Sequence, residues 1–400
     1  MEFRRIEGLP PYVFAHIKRL VEDARHEGRD IVDFGFGNPD LPSPPVAVEK
    51  LAQAAHNPRN HRYSASRGIP HLRLAIAERY RRVFGVELDP DTEVVHTIGA
   101  KEGLSHVMWV LLDRGDTALV PSPSYPIHIF GPLFAGAHVV TVPMLDPGSL
   151  EGASPGDAFF GGMQDAWSRA WPKPRVLVCS FPHNPTTACV DLSFMERLVD
   201  FAREHELIVV HDFAYSDLGF DGYRPPSILQ VPGARDVAVE LYTLTKSFSM
   251  AGWRVGFLVG NDQIVGALTK LKTYLDYGSF QPIQIASIVA MNEATDYPAQ
   301  VNAVYEQRRD QLIEGLGRIG WEVAAPRGTM FVWAPIPEPY RHLSSLEFST
   351  MLVNDAQVAT SPGIGFGEGG EGFVRFALIE NEARIAQAVR GLRRALPDLS

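Results

Sequence analysis

A chain of 400 residues is long enough for two or three domains at about 150 residues each, so it needs no disulfide or metal staple. Hydrophobic residues make up 45% and charged residues 21%, which excludes a disordered chain. Lys plus Arg number 37 against 47 Asp plus Glu, and the net charge of −10 repels a phosphate backbone, so nucleic acid is not an expected partner. Cys179 and Cys189 are too few for a disulfide framework and fit no metal knuckle, so a reducing, cytoplasmic setting is expected. The opening MEFRRIEGLPPYVF has two arginines but no apolar run behind them, and no secretory signal is read there. No stretch reaches the roughly 20 apolar residues of a spanning helix, so a soluble protein is expected.

In chain order, the first 45 residues end in FGFGNPDLPSPP, where four prolines and two glycines read as a crossover between lobes. Short β-rich runs then alternate with helical periodicity: VVHTI (94–98), ALVP (118–121), VLVCS (176–180), LIVVHD (207–212) and VGFLV (255–259). That alternation predicts an α/β domain with a mostly parallel sheet over 46–290. Leu104, Val107, Met108 and Leu111 share one helical face after Lys101, and Leu198, Val199 and Ala202 do so after Asp191. The stretch 146–174, with its Pro, Gly and Ser, reads as a surface excursion. Near residue 299 a long amphipathic helix begins, with Val301, Val304, Tyr305, Leu312, Leu316 and Ile319 on its stripe. Strands MFVWA (330–334) and VRFAL (374–378) and a helix around Ile385, Val389 and Leu392 follow. These define a smaller α+β domain over 291–400, to which residues 1–45 return as an N-terminal arm.

Gly367, Gly369 and Gly372 satisfy G-x-G-x-x-G, but Glu368 and Glu371 lie inside the motif and a strand follows, so a dinucleotide site is rejected. The thirteen histidines show no metal-ligand spacing with a third ligand nearby, and most read as solvated or core-edge residues. Lys246, between a β-rich run and a strand with Thr243, Thr245 and Arg254 around it, is either a surface lysine or an amine held ready to attack a carbonyl. In the second case the threonines and arginine would bind an anion. Asp212 ends a strand, where it is either a helix cap or a ligand-facing charge. Asn184 sits in the turn SFPHNPTTAC (180–189), and TIGAKEGL (97–104) exposes the N–H groups of Ala100 and Lys101 at a helix start. Arg375, within an apolar strand, requires a carboxylate from the protein or from a substrate.

Taken together, GNPD (37–40), YSASRGIP (63–70), TIGAKEGL, PSPSYPIHI (121–129), HDFAY (211–215), KSFSMAGWR (246–254) and SPGIGFG (361–367) resemble the class I/II aminotransferases that use pyridoxal 5'-phosphate. The resemblance covers essentially the whole chain and looks nearest to the bacterial alanine (glutamate–pyruvate) aminotransferases. It implies the fold type I architecture and a homodimer. By the same resemblance Lys246 forms the internal aldimine and shuttles the proton, and Asp212 pairs with the pyridine nitrogen. Asn184 and Tyr215 bond the phenolic oxygen, and Tyr125 stacks on the ring. Ala100, Lys101, Thr243, Thr245 and Arg254 hold the phosphate, with Tyr63 reaching over from a partner subunit. Arg375 clasps the substrate α-carboxylate with Asn184 and the backbone at Gly37. Tyr12, Phe14 and Tyr277 wall the side-chain pocket, the first two on a segment expected to move.

The family's Asn-Pro-Thr-Gly runs here as Asn184-Pro185-Thr186-Thr187, which puts the turn after the asparagine in doubt. The activity so implied is ping-pong exchange between L-alanine and 2-oxoglutarate. Aminotransferases for diaminopimelate, aspartate or methionine share nearly every motif, and a carbon–sulfur lyase can use the same fold. A transcription regulator with such a domain would need a DNA-binding module, for which the first 45 residues leave no room.

Overall fold

The computed structural model describes all residues except 1, 2, 4–8, 10–12, 145–155 and 400. Two compact units emerge. One comprises Asn38–Glu306 with Pro326–Met330, the other Met1–Gly37, Gln307–Ala325 and Phe331–Ser400, and one boundary falls inside the helix Tyr297–Gly317.

The first of these units is built on a seven-stranded sheet in the order Val94–Thr97, Gly256–Gly260, Ala238–Thr243, Ile208–Asp212, Val176–Cys179, Thr117–Ser122, His138–Pro143. Only Gly256–Gly260 runs antiparallel to its neighbours; the other pairings are parallel. Helices cover both faces, which is why the central strands read as unbroken apolar runs rather than alternating ones. Leu177, Val209 and Val259 join the core on one face, and Val176, Val178, Val210 and Leu258 join the core on the other.

Helix ends follow local chemistry. The Asp191 side chain accepts from the Phe194 N–H at 2.9 Å and starts Leu192–Glu204, and Gly85 closes Pro70–Phe84 in the left-handed region. Ala100–Leu111 begins at Gly99, which offers no side-chain cap, and Leu104, Val107 and Met108 of its expected face are fully buried.

Part of the stretch expected to be a surface excursion is instead a helix, Asp157–Arg169. Its Phe159, Phe160 and Met163 lie on one side and pack on Phe181 and Phe194, so burial outweighs the glycines around them. The remainder of that stretch, 146–155, and Tyr12 lie outside the described residues.

In the other unit, Phe373–Ala377 is the centre of a three-stranded antiparallel sheet between Ser361–Pro362 and Phe331–Pro335. A short parallel pair joins Val32–Asp33 to Val358–Ala359, tying the first residues of the chain to its last third. Gly367 precedes and Gly369 lies within a single 3₁₀ turn, Glu368–Gly370, and Gly372 leads directly into the strand Phe373–Ala377, so no α-helix opens on the motif. Among the described residues no helix is long and apolar enough to cross a membrane.

Candidate active site

In the large sheet, the strand ends at one edge carry most of the residues singled out by the sequence. Asp212, Thr243 and Thr97 end their strands, and Ser180 and Tyr125 follow theirs closely. Such an edge of an open α/β sheet is where ligands gather.

Asp212 is no helix cap, because turns follow it. Its carboxylate is almost wholly buried: Oδ2 accepts from His128 Nε2 at 2.9 Å, and Oδ1 has no partner among the described residues. A buried carboxylate oxygen without a donor is costly and therefore marks a place for one. His128 is oriented in turn by Ser124 Oγ, 2.8 Å from Nδ1. The neighbouring His211 faces elsewhere. Its Nδ1 donates to Glu240 Oε2 at 2.9 Å, while Nε2 accepts the Phe181 N–H at 3.2 Å.

Asn184 Nδ2 donates to the Tyr215 hydroxyl at 3.2 Å. The turn that carries Asn184 runs on through Thr187. That residue has φ of 62°, so a threonine occupies the left-handed conformation glycine favours, at the cost of strain. Burial holds the His183 imidazole down at about 3, with His128 adding to the effect, and its Nδ1 lies 2.8 Å from Thr186 Oγ1.

Lys246 is half-buried on the short helix Leu244–Ser247. The Thr243 hydroxyl starts that helix by accepting the Thr245 N–H at 3.2 Å, and it donates to Val255 O at 2.9 Å. Arg254, itself left-handed at φ 57°, lays its guanidinium along the Ile98–Gly99 backbone, with Nη1 3.0 Å from Ala251 O and Nη2 3.5 Å from Ile98 O. Gly99 has φ of 81°, which side-chain-bearing residues rarely adopt, and a Cβ on it would stand 2.2 Å from Arg254 Nη2. A Cβ on Gly256 would lie 2.7 Å from the Ala100 nitrogen. Lys101 Nζ is 5.8 Å from the centre of the Tyr125 ring. Tyr63 is 87% exposed, with its ring centre 4.8 Å from that of Tyr277, itself exposed.

Arg375, Gly37 and Phe14 belong to the other unit. The Arg375 guanidinium is buried over the Phe331 and Phe366 rings at 4.0 and 4.6 Å, and Nη2 reaches Ser361 Oγ at 3.3 Å. Phe14 meets Phe366 edge-on at 5.1 Å. At Gly37 a Cβ would collide with the Phe331 ring at 2.6 Å, so only glycine lets the backbone pass this cluster.

The sequence reading missed His128 and Ser124, although both stand in PSPSYPIHI. The available signal was the three-residue step from Tyr125 to His128 on a helix that starts at a strand end. Four of the thirteen histidines, His96, His128, His183 and His211, are fully buried rather than solvated, because each ring finds polar partners inside.

A three-layered α/β unit with a lysine, a buried carboxylate and an anion-ready helix start at one end of its sheet is the architecture of a pyridoxal-phosphate enzyme. The chain belongs to the aminotransferase class I and II family, whose model matches residues 29–392, and it is a pyridoxal-phosphate-dependent aminotransferase. It is 51% identical over 391 residues to the glutamate-pyruvate aminotransferase AlaC of Escherichia coli (strain K12), covering 98% of this chain and 93% of that protein. It is 41% identical to an LL-diaminopimelate aminotransferase of Dehalococcoides mccartyi (strain CBDB1), over 97% of each. Among solved structures it matches substrate-bound BacF of Bacillus subtilis with a TM-score of 0.89 and 33% identity, over 98% of both chains.

The residues present fit the cofactor. The orphaned Asp212 Oδ1 can accept from a protonated ring nitrogen, and the uncapped start of Ala100–Leu111 beside Arg254 and the two threonines offers donors to a phosphate.

Proposed function

We propose that the protein transfers an amino group between L-alanine and 2-oxoglutarate in a ping-pong cycle. The observation that carries this reading is the 51% identity with a glutamate-pyruvate aminotransferase over 98% of the chain. When bound, pyridoxal phosphate supplies an electron sink for the substrate Cα–H bond. In this reading Lys246 anchors the cofactor and moves the proton at Cα. Asp212 holds a proton on the ring nitrogen, Asn184 and Tyr215 bond the phenolic oxygen, and Tyr125 covers the ring. Ala100, Lys101, Thr243, Thr245 and Arg254 bind the phosphate. Arg375 binds the substrate carboxylate, where its planar fork matches two oxygens at once, and Asn184 and the Gly37 backbone assist.

The unit with the seven-stranded sheet is the cofactor-binding domain in this assignment, and the other is the small domain. The enzyme acts as a cytoplasmic homodimer with Tyr63 completing the partner's phosphate site; the 87% exposure of that tyrosine supports this, as do the two cysteines left free.

A second reading, diaminopimelate as amino donor, draws on the 41% identity with LL-diaminopimelate aminotransferases. The discriminating measurement is kcat/KM for alanine, glutamate, aspartate, methionine and diaminopimelate with matched 2-oxo acids. Alanine is expected among the best two donors, and any other ranking removes the alanine assignment. Ammonia release without an acceptor would identify a lyase.

A further inference from the structure

Lys272 is fully buried on the helix Asp262–Leu275, and neither the proposed chemistry nor the core explains it. Its Nζ lies 3.2 Å from Glu102 Oε1 and 2.9 Å from Asp276 Oδ2. Burying an ammonium is expensive, and a fold that keeps one has a charge to answer.

That charge sits on the helix proposed to hold the phosphate. Glu102 is in the first turn of Ala100–Leu111, next to Lys101, and its Oε2 accepts the Ile98 N–H at 2.7 Å. Ile98 is also the residue whose carbonyl faces Arg254 Nη2. A carboxylate at a helix start is favourable alone, but it repels a second anion bound at the same terminus. Asp276 adds another negative charge. Its Oδ1 accepts the Gly278 N–H at 2.7 Å, and its carbonyl accepts from Ser66 Oγ at 2.6 Å.

Around this group stand His106, with Nδ1 2.6 Å from Glu102 Oε1, and His96, which bonds Gly256 O and Ser279 Oγ. Burial pushes the Glu102 carboxyl up, yet His106, Lys272 and the Ile98 N–H together outweigh burial and hold it below its ordinary range. The ligand atoms of Glu102, His106 and Asp276 lie within 4.8 Å of one another, as in a metal site, but the Lys272 ammonium bridges the two carboxylates where a metal would have to bind.

The geometry points to Lys272 as an electrostatic positioning residue. It neutralises Glu102 and Asp276 so that the start of Ala100–Leu111 accepts a phosphate dianion, and it clamps the 276–280 loop, which carries Tyr277, to that helix. This rests on the phosphate assignment made above.

The test compares binding of pyridoxal phosphate and of pyridoxal, which lacks the phosphate, to the full-length apoenzyme. Lys272→Met should weaken pyridoxal phosphate by about ten-fold or more and leave pyridoxal within about two-fold, because only the former brings the opposing charge. Glu102→Gln should tighten pyridoxal phosphate by about three-fold, since glutamine still accepts the Ile98 N–H while the repulsion is gone. The double variant should return to within about three-fold of the parent. Equal losses for both ligands, a Glu102→Gln that binds pyridoxal phosphate unchanged or more weakly, or a double variant that does not recover would each overturn the proposal. Should Lys272→Met fail to fold, Glu102→Gln decides alone. Arg254→Met is the control for the underlying assignment: if it leaves the preference for pyridoxal phosphate over pyridoxal intact, the phosphate site is elsewhere, whatever Lys272 does.

Discussion

Replacing His128 by leucine removes two hydrogen bonds at nearly constant volume, and the consequence can be worked through. The ring is 1% exposed in its side chain, with Nε2 2.9 Å from Asp212 Oδ2 and Nδ1 2.8 Å from Ser124 Oγ. Asp212 Oδ1 already has no donor among the described residues, so the substitution leaves both carboxylate oxygens without a side-chain donor. A hydrogen bond to a charged group contributes about 1.5–3 kcal/mol. If that orientation is what aims Oδ1 at the ring nitrogen, the rate of Cα–H cleavage should fall by about 10- to 100-fold. Folding stability should drop by about 1–3 kcal/mol from the buried groups left unpaired. His128→Gln keeps a donor in reach and should recover part of the rate.

The assay is single-turnover reduction of the cofactor absorbance with saturating alanine or glutamate, together with urea unfolding. A His128→Leu enzyme within two-fold of the parent rate would refute the reasoning, and a loss seen in stability alone would make the histidine a packing residue. The separation of these two readouts is what distinguishes orientation from fold.

Asp212→Asn should lower turnover far more than cofactor affinity, because shape is kept and only the charge beside the ring is lost; comparing kcat with the cofactor dissociation constant checks this. Thr187→Gly should be neutral or stabilising by up to about 1 kcal/mol in urea unfolding, since it releases a left-handed threonine, and a clear loss would mean the φ of 62° is not strained. Arg79→Met should cost about 3–5 kcal/mol, because Asp217, 2.6 Å from the buried guanidinium, would lose its counter-charge. Burial lowers the His96 pKa to about 4, against about 6.5 in the unfolded chain, so the unfolded state binds the extra proton between those values. The stability it contributes is therefore complete above 6.5 and is lost as pH falls toward 4; His96→Asn should flatten the decline in unfolding free energy between pH 7 and 5.

Much of the site was legible because its residues sit in local patterns. Lys246 with its threonines, Asp212 at a strand end and the Gly99–Lys101 helix start are all defined by neighbours within a few positions, and strand-end placement follows from where each continuous apolar run stops. Arg375 was recognisable as a buried charge from its strand alone. Local sequence could not reveal partnerships between distant segments. The bond from His128 to Asp212 spans 84 positions, and that from Lys272 to Glu102 spans 170. Lys272 looks like any solvent-facing helix lysine until packing closes over it.

The helix Asp157–Arg169 was concealed in a similar way, because its glycines speak for a loop and only its docking on Phe194 favours a helix. At Thr187 a local rule failed in the opposite direction. The residue argues against a left-handed turn, and the surrounding fold imposes one, since packing on both sides of that turn outweighs a strain of about 1–2 kcal/mol. The sequence by itself thus determined the class of fold, most of the strands along the chain and the candidate reactive groups, all of which depend on short-range periodicity and turn chemistry; the order of the strands within the sheet was not among them. The orientation of those groups, and which charges face one another, was decided only by tertiary structure, since both depend on which distant side chains share a low-dielectric interior.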